Sequence, residues 1–254
     1  MTSLLEAVNV NKVYPIGKNN QQHVLKDVAL RIETGEFISV MGPSGSGKST
    51  LLYNISGMDK MTSGSVVLDG QEITSLTETD LSQLRLTKMG FIFQQNNLLK
   101  NLNIYDNIVL SAYMAKIEDR DVIDQRAESL MELTGITDIA DKDITQASGG
   151  QLQRAAMCRA LINNPAIIFG DEPTGALNSK AAGEVMDLLA RINGEGATIM
   201  LVTHDAKVAA KTERVVYMMD GCIMDELHLG KYEETSQLKE REEKLAAWLT
   251  TMGF

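Results

Sequence analysis

The stretch GPSGSGKST, residues 42–50, decides the fold that this sequence predicts. The apolar run EFISVM precedes it and the helix-like run LLYNISG follows it, so the pattern indicates a strand, a glycine-rich turn and a helix. The stretch matches G-x-x-x-x-G-K-[ST], in which backbone N–H groups of the turn and the helix N-terminus face phosphate oxygens. It therefore predicts a binding loop for a nucleoside triphosphate, without saying which class of nucleotide-binding protein this is.

The residue types of this loop suit the binding of phosphates. Gly42, Gly45 and Gly47 allow the backbone to turn tightly and to point N–H groups inward. Lys48 can bridge the β- and γ-phosphates, and Ser49 can offer its hydroxyl to Mg²⁺. The other members of the predicted nucleotide-binding loop are Pro43, Ser44, Ser46 and Thr50.

Two adjacent carboxylates begin the segment DEPTGALNSK, residues 171–180. The apolar run AIIFG before them predicts a strand, and α/β sheets bind ligands at the carboxyl ends of their strands. Asp171 is therefore predicted to hold Mg²⁺, directly or through water. The side chain of Glu172 points in a different direction, and it is predicted to orient and deprotonate an attacking water.

Composition narrows the class of protein. The 254 residues could form one large domain or two small ones, and 44% hydrophobic residues are ordinary for a globular chain. The formal net charge of −10 argues against general affinity for nucleic acid, so no nucleic-acid partner is expected. Cys158 and Cys222 lack metal-ligand spacing and are interpreted as buried reduced thiols.

Nothing in the sequence predicts a membrane segment. No apolar run approaches the ~20 residues of a transmembrane helix. The beginning, MTSLLEAVNV, lacks the basic and apolar regions of a signal peptide. A role at a membrane would therefore need another protein to hold the chain there.

Strand-like segments lie on both sides of a helical block at about residues 97–147. Before the block, GSVVLDGQEI predicts a hairpin that turns at Asp69–Gly70. After it, ATIMLVTHD predicts a strand buried on both faces, and ERVVYMMDGCIM predicts a hairpin that turns at Asp220–Gly221. This order predicts an α/β core with a helical insertion.

One helix of the block can be placed in more detail. The run DVIDQRAESLMELTGI has apolar residues at helical spacing, which predicts that one face is buried. The residues predicted on that face are Ile123, Ala127, Leu130 and Leu133. Gly135 is the predicted C-cap.

The stretch QASGGQLQRAAMCRAL, residues 146–161, contains a second candidate phosphate-facing motif. Its core is Ser148, Gly149, Gly150 and Gln151, directly before a helix-like run, which predicts another helix N-terminus facing phosphate. The chain has two such motifs and one loop lysine. Either each chain binds two nucleotides, or two chains dimerise so that each second motif closes on the partner's nucleotide.

With these motifs in this order, residues 4–221 resemble the nucleotide-binding subunit of an ATP-binding cassette (ABC) transporter. The resemblance implies an α/β fold of the P-loop NTPase type, with a RecA-like core, an antiparallel β subdomain and an inserted helical subdomain. The cassette would span residues 1–230, with the helical subdomain at about 97–160, and a C-terminal amphipathic helix would span 231–254. It further implies an ATPase that uses ATP and Mg²⁺ and dimerises on ATP.

The resemblance also assigns roles to single residues. Tyr14, in NKVYP, would stack on the adenine. Gln94, in FIFQQ, would touch Mg²⁺ or water where a membrane partner docks. His204, in LVTHD, would contact the γ-phosphate and hold Glu172 and the water in place. The implied catalytic residues are Glu172, His204 and Lys48, the implied metal ligands are Ser49, Gln94 and Asp171, and Ser148, Gly149, Gly150 and Gln151 would act on the partner's nucleotide.

Two positions depart from the family's pattern. Ala147 stands where the signature begins with leucine, a residue that would pack rather than react. Asn178 stands where the family has an aspartate that hydrogen-bonds across the dimer. Asn178 keeps an acceptor and loses a charge, so the hypothesis is that it tunes the coupling of the two ATP sites and leaves hydrolysis intact.

Several runs are most similar to a bacterial subfamily that partners MacB/FtsX-like permeases in lipoprotein release, macrolide export or antimicrobial-peptide resistance. The peptide-resistance branch is the best match. The sequence thus implies an ATP-hydrolysing transporter subunit in the cytoplasm, peripheral on the inner face of the plasma membrane through its permease. The alternative is an ATP-dependent regulatory scaffold of a non-transporting complex, of the cell-division type.

The predicted C-terminal helix has one apolar face. The residues on that face are Leu245, Trp248, Leu249 and Met252. The helix is expected either to pack on the chain's own core or to contact the permease or the second cassette.

Overall fold

The computed structural model describes residues 3–17, 20–232 and 235–253. The chain divides into two units, one formed by Met1–Leu81 with Ala190–Phe254 and the other by Ser82–Leu189. The strands are β1 (Ser3–Ile16), β2 (Asn20–Glu33), β3 (Phe37–Met41), β4 (Ser63–Leu68), β5 (Gln71–Glu72), β6 (Met89–Phe93), β7 (Ile167–Asp171), β8 (Thr198–Val202), β9 (Arg214–Met219) and β10 (Cys222–His228). The α-helices are α1 (Lys48–Ile55), α2 (Glu78–Lys88), α3 (Ile104–Ala115), α4 (Arg120–Thr134), α5 (Gly149–Leu161), α6 (Ser179–Gly194), α7 (Ala206–Ala209) and α8 (Leu238–Thr251). Within the described residues, no helix has both the length and the apolar character that crossing a membrane requires.

The first unit contains an antiparallel sheet with strand order β2-β1-β4-β5. The register of β1 against β2 shifts between Ala7 and Val10, where Asn9 has a left-handed φ of 51°. This bulge inserts an extra residue, so that Val10 returns to the buried face. The β4–β5 hairpin turns at Asp69 and Gly70, whose φ angles of 51° and 77° are those of the predicted turn.

The same unit also contains parallel strands. The central strand β3 pairs in parallel with β8 and with β9, while β10 pairs with β9 in antiparallel. Every residue of β3 and of β8 is buried, which confirms the prediction that ATIMLVTHD contains a strand buried on both faces. Because parallel strands end at the same edge, the segments that follow Met41 and Val202 begin side by side.

In the second unit, β6 and β7 pair in parallel, and α3, α4 and α5 share one apolar core. On α4, Ile123 and Ala127 are buried as predicted, and Leu130 packs against the same core. The prediction is wrong in the last turn, where Met131 and Thr134 are buried and Leu133 is only half-buried. Thr134 can be buried because its hydroxyl donates to the Leu130 carbonyl of the same helix at 2.8 Å. Gly135 ends the helix with a left-handed φ of 65°, as predicted.

The two cysteines differ in environment. Cys158 is buried in the core of the second unit, and burial raises the pKa of its thiol to about 12. Cys222 begins β10 and is half-buried, so the interpretation of two buried thiols is correct for Cys158 and wrong for Cys222. Cys158 lies on α5 in the apolar core of the helical block, whereas Cys222 begins β10, which pairs with β9.

The C-terminal helix α8 packs on the core of its own unit, the first of the two expectations. Leu245 and Leu249 are buried in a cluster that also contains Met41 and Tyr217. Trp248 packs edge-on against the ring of Tyr217 and donates from Nε1 to Asp225 at 2.9 Å. Of the predicted segment 231–254, Glu233, Glu234 and Phe254 lie outside the described residues.

Arg241, which was not predicted to be important from the sequence, holds α8 against neighbouring segments of its unit. It is only 7% exposed, and its guanidinium donates to five backbone carbonyl oxygens at 2.7–3.4 Å. These carbonyls belong to Ala210, Thr212, Leu229, Gly230 and Lys231. Desolvation lowers the pKa of Arg241, because burial disfavours the charged guanidinium.

Replacement of this arginine is expected to destabilise the fold. Arg241→Met should lower the free energy of unfolding by about 3 kcal/mol, because five buried carbonyls lose their donor. Lys239→Met, at an 88% exposed side chain of the same helix, should change it by less than ~0.5 kcal/mol. Urea unfolding followed by circular dichroism measures both values, and equal values for the two variants would contradict this role of Arg241.

Candidate active site

The predicted phosphate-binding loop, residues 42–50, joins the buried strand β3 to α1, which begins at Lys48. Gly42, Gly45 and Gly47 have φ angles of 151°, 80° and 100°, as the tight turn requires. The Lys48 ammonium donates to the carbonyl oxygens of Gly42 and Pro43, both at 2.9 Å. The positive charge is therefore held against the loop itself, where it favours an anionic ligand.

The loop is shaped by a close approach between two backbones. A Cβ on Gly42 would lie 2.0 Å from the carbonyl oxygen of Met218, so only glycine fits there. Ser46 is buried, and its hydroxyl has no hydrogen-bond partner within the described part of the chain. A narrow glycine-lined loop with an unsatisfied hydroxyl and a lysine fits the phosphates of a nucleotide.

The β9–β10 turn is hydrogen-bonded to this loop, a contact that was not predicted from the sequence. The Gly221 N–H donates to the Ser46 carbonyl at 3.1 Å, and the Gly221 carbonyl accepts from Lys26 at 2.9 Å. A Cβ on Gly221 would lie 2.4 Å from the Val24 carbonyl oxygen. The Asp-Gly pair predicted the turn, but it carries no signal for what the turn contacts.

His204 lies at the edge of the sheet where β3 ends, two residues after β8. Its neighbours are fixed: the Thr203 N–H donates to the Val40 carbonyl at 3.1 Å, and the Thr203 hydroxyl accepts from the Asp205 N–H at 3.0 Å. Asp205 in turn caps α7 through the Lys207 N–H at 2.8 Å. The exposed His204 is thus brought to the same edge as the phosphate-binding loop.

Tyr14 lies on β1, and 38% of it is exposed. Its hydroxyl donates to Asp59 at 2.5 Å. An aromatic ring that is both exposed and anchored at its hydroxyl is suited to stacking on a flat ligand.

In the second unit, β6 and β7 end together. Phe93 pairs with Asp171 in register, so Gln94 and Glu172 follow at the same edge. The Gln94 side chain lies against Gly175, where an added Cβ would come within 2.9 Å of Nε2. The structure therefore brings Gln94 to the same strand edge as Glu172.

Glu172 has a backbone conformation that is unusual for its residue type. Among the described residues, the non-glycine residues with positive φ are six Asn or Asp residues, Lys116 at a helix C-cap, and Glu172 with a φ of 50°. Left-handed glutamate is strained, and such strain concentrates at functional positions.

The SGGQ stretch forms the start of α5. Ser148 is the N-cap: its hydroxyl accepts from the Gln151 N–H at 3.3 Å, while the Gln151 side chain accepts from the Ser148 N–H at 2.9 Å. The predicted helix N-terminus is confirmed, and the S-x-x-Q pattern of this capping box was a sequence signal that the analysis did not use. Ala147 packs against the helical core, as the packing role of this position implies.

Two further residues of α5 hold the segment that contains Gln94. The buried Gln153 side chain donates to the Phe93 carbonyl at 3.0 Å. Arg159 donates to the carbonyls of Asn96 and Asn97, both at 2.7 Å. Polar residues in a helix normally indicate an exposed face, so the sequence contained no signal for these contacts.

Asn178 is the N-cap of α6. Its side-chain oxygen accepts from the Ala181 N–H at 2.9 Å, and its carbonyl accepts from Ala182 at 2.9 Å. Asparagine and aspartate are about equally good N-caps, so this local role tolerates either residue. Dimer coupling was the role predicted for Asn178 from the sequence, and the cap was not predicted.

The predicted Mg²⁺ ligands are a hydroxyl at the start of α1, Ser49, and in the second unit the carboxylate of Asp171 and the amide of Gln94. Hard oxygen donors of these types fit Mg²⁺, which keeps several positions for water and for phosphate oxygens. In the described ranges, no three His, Cys, Asp or Glu side chains cluster into a site that could hold a metal ion.

Comparison with known proteins gives a consistent result. A family model described as "ABC transporter" matches residues 25–175. The bacitracin export ATP-binding protein BceA of Halalkalibacterium halodurans is 45% identical over 229 residues, which are 90% of each chain. The macrolide export ATP-binding/permease protein MacB of Aggregatibacter actinomycetemcomitans is 43% identical over 224 residues, which are 88% of this chain and 34% of that protein. The solved ATP-binding cassette MJ0796, a dimer in a post-hydrolysis state bound to ADP and Pi, has a TM-score of 0.82 and 39% identity, covering 90% of this chain and 100% of that chain.

The importance of the contact between the β9–β10 turn and the loop can be tested with a matched pair of substitutions. Gly221→Ala should weaken binding of ATP by about 1.4 kcal/mol, which is ten-fold, because the added Cβ displaces the turn from the loop. Gly70→Ala introduces similar strain in the other Asp-Gly hairpin, where the Cβ would meet nothing within 4 Å. It should lower stability by about 1 kcal/mol and leave ATP affinity unchanged. Titration calorimetry with ATP measures the affinities, and an equal loss in both variants would show that the contact with the loop is unimportant.

Proposed function

This chain belongs to the ABC transporter family and is an ABC-type ATPase, and we propose that it drives a MacB/FtsX-like permease in antimicrobial-peptide resistance or export. The observation that carries the proposal is the match to BceA, a bacitracin export protein, over 90% of both chains. The ordered phosphate-binding loop and the ordered start of α5 at SGGQ support this proposal, because turnover would need both segments.

For nucleotide binding, we propose that Tyr14 stacks on the adenine and that residues 42–50 hold the phosphates. Lys48 neutralises the β- and γ-phosphates. Ser49, Asp171 and Gln94 would hold Mg²⁺, which when bound neutralises charge on the phosphate oxygens. The exposure of Tyr14 and the placement of the Lys48 ammonium on the loop support these assignments.

For hydrolysis, Glu172 accepts a proton from the attacking water, and His204 orients the water and contacts the γ-phosphate. The strained backbone of Glu172 supports its role, since such conformations persist where the surroundings enforce them. The residues on both sides of His204, Thr203 and Asp205, make hydrogen bonds that order the backbone of this segment. Pre-organised groups of this kind lower the barrier because they need no rearrangement during the reaction.

The second motif is proposed to act on the nucleotide of a second copy. Ser148, Gly149, Gly150 and Gln151 form an ordered helix N-terminus, which presents N–H groups and a positive dipole to a phosphate. The cassette MJ0796 was solved as a dimer with ADP and Pi, which supports an ATP-dependent homodimer here. The helical subdomain is proposed to span about residues 97–160, within a cassette that spans 1–230.

The proposed partner is an integral-membrane permease. The name of the MacB relative combines ATP-binding and permease functions, and this chain covers 34% of that protein. BceA, which this chain matches along most of both lengths, is named as an ATP-binding protein. We therefore place this chain on the inner face of the bacterial plasma membrane, bound through a MacB/FtsX-like permease.

Loss of the proposed base should trap a dimer. Glu172→Gln should lower the ATPase rate by at least about 100-fold, because the water loses its proton acceptor. With saturating ATP, the variant should elute as a dimer in size-exclusion chromatography. Glu128→Gln, at an exposed carboxylate of α4, should keep the wild-type rate and elution. A Glu172→Gln variant that stays monomeric, or that hydrolyses ATP normally, would contradict the proposed mechanism.

The proposed role of Asn178 in coupling the two ATP sites can be tested separately from its role as the N-cap of α6. Asn178→Asp keeps the acceptor at the start of α6, so the free energy of unfolding should stay the same. The ATPase rate should change by only a few fold, and the dependence of the rate on ATP concentration should change in cooperativity. Asn178→Ala should lose the cap and about 1 kcal/mol of stability. Steady-state ATPase assays and urea unfolding measure these effects. A rise from near zero to ordinary turnover in Asn178→Asp would overturn the hypothesis that hydrolysis is intact.

Transport distinguishes the proposed function from a regulatory scaffold. The complex of this chain with its co-purified permease is reconstituted in vesicles, and ATP-dependent movement of a peptide antibiotic such as bacitracin is measured. Transport that disappears in Glu172→Gln supports the exporter. ATP hydrolysis without any transport supports the scaffold.

A further inference from the structure

Tyr14 is held by a polar network that no motif contains. Its hydroxyl donates to Asp59 Oδ2 at 2.5 Å, while the Lys12 ammonium donates to Asp59 Oδ1 at 2.7 Å. Lys12 also donates to the Lys60 carbonyl at 2.5 Å. One carboxylate thus binds both the phenol and the ammonium through separate oxygens.

Lys12 also contacts the ring of Tyr14. Its Nζ lies 4.6 Å from the ring centroid, within the range of a cation–π interaction. The ammonium lies over the ring, and Tyr14 is still 38% exposed. Because Lys12 is only 8% exposed, its position is well determined by the surrounding residues.

Asp59 connects this network to the helix that carries the phosphate-binding loop. It lies four residues after the end of α1, and its N–H donates to the Tyr53 carbonyl at 3.0 Å. The side chain of Asn54, which is buried in α1, lies 3.4 Å from Asp59 Oδ2. The beginning of α1 therefore contributes Lys48 to the phosphate site, and its end positions the tyrosine.

The protonation states suit this arrangement. Partial burial opposes ionisation of Asp59, but the bonds from Lys12 and Tyr14 lower the pKa of its carboxyl below the ordinary value. Burial and the Asp59 carboxylate raise the pKa of Tyr14 to about 12. At neutral pH the phenol therefore donates and the carboxylate accepts.

We propose that Lys12 and Asp59 are positioning residues that hold the Tyr14 ring ready to stack on the adenine, and so set affinity for the base and not for the phosphates. The inference rests on the proposed stacking role of Tyr14. A ring that is already fixed loses little conformational freedom on binding, and this raises affinity without a new contact. Removal of the carboxylate or of the hydroxyl frees the ring in the same way.

The test compares ATP with tripolyphosphate, which has no base. Asp59→Asn and Tyr14→Phe should each weaken ATP binding about five-fold, because each loses the same charge-assisted hydrogen bond. The double variant should be no weaker than either single variant. Tripolyphosphate affinity should stay within two-fold of wild type in all three. Titration calorimetry with Mg²⁺ measures both ligands, and KM for ATP should rise while kcat stays within two-fold.

A matched control uses another carboxylate of the same unit. Asp27 accepts from Asn11 at 2.8 Å and has a left-handed φ of 48°, which asparagine also tolerates. Asp27→Asn should leave the affinity for both ligands unchanged. Circular dichroism verifies that each variant is folded, and Tyr14→Phe tests the bond from its other end if Asp59→Asn unfolds.

Three results would overturn the inference. Equal weakening of ATP and tripolyphosphate in Asp59→Asn would show that Asp59 supports the phosphate site. Unchanged ATP affinity in Asp59→Asn, together with weakening in Tyr14→Ala, would reject positioning but keep the stacking role. Unchanged ATP affinity in Tyr14→Ala would reject the stacking role itself, and the inference with it.

Discussion

The close approach of Gly42 to the Met218 carbonyl is the constraint on which the phosphate site depends. A Cβ at Gly42 would lie 2.0 Å from that oxygen, so the loop and the end of β9 are in direct contact. The contact follows from the parallel pairing of β3 with β9, which sets Met41 opposite Tyr217. The β9–β10 turn then reaches the Ser46 carbonyl through Gly221. The geometry of the phosphate site is therefore a property of the buried strands and not of the loop alone.

N-cap residues at the starts of helices also hold segments of the proposed site in place. Ser148, Asn178 and Asp205 each cap a helix while lying in or next to a segment with a proposed functional role. A cap satisfies N–H groups that the helix leaves free, so the same residue holds its segment in place. Substitution of such a residue affects stability and function together. Asparagine can nevertheless stand in place of aspartate at position 178 without loss of the local structure, because the two residues are about equally good N-caps.

The elements that could be predicted are those encoded by neighbouring residues. Both Asp-Gly hairpin turns and the Gly135 C-cap follow from local backbone preferences, and all are present. In the last turn of α4 the prediction was wrong at Leu133, since the buried residue there is Thr134. Thr134 is buried because its hydroxyl finds a partner in its own helix, and Cys158 of α5 lies 3.2 Å away. Arg241 was missed because a charged residue normally indicates an exposed face, whereas five carbonyls surround this one.

The sequence by itself determined the order of the motifs, the strand–loop–helix around Lys48 and the chemical types available for binding and hydrolysis. These features depend on adjacent residues and their intrinsic chemistry. Only the tertiary structure decided which residues support them. Asp59 reaches Tyr14 across 45 positions of sequence, and Gln153 reaches Phe93 across 60. Such pairs are selected by the packing of distant segments, because a local pattern specifies a helix or strand but not the neighbour against which it lies.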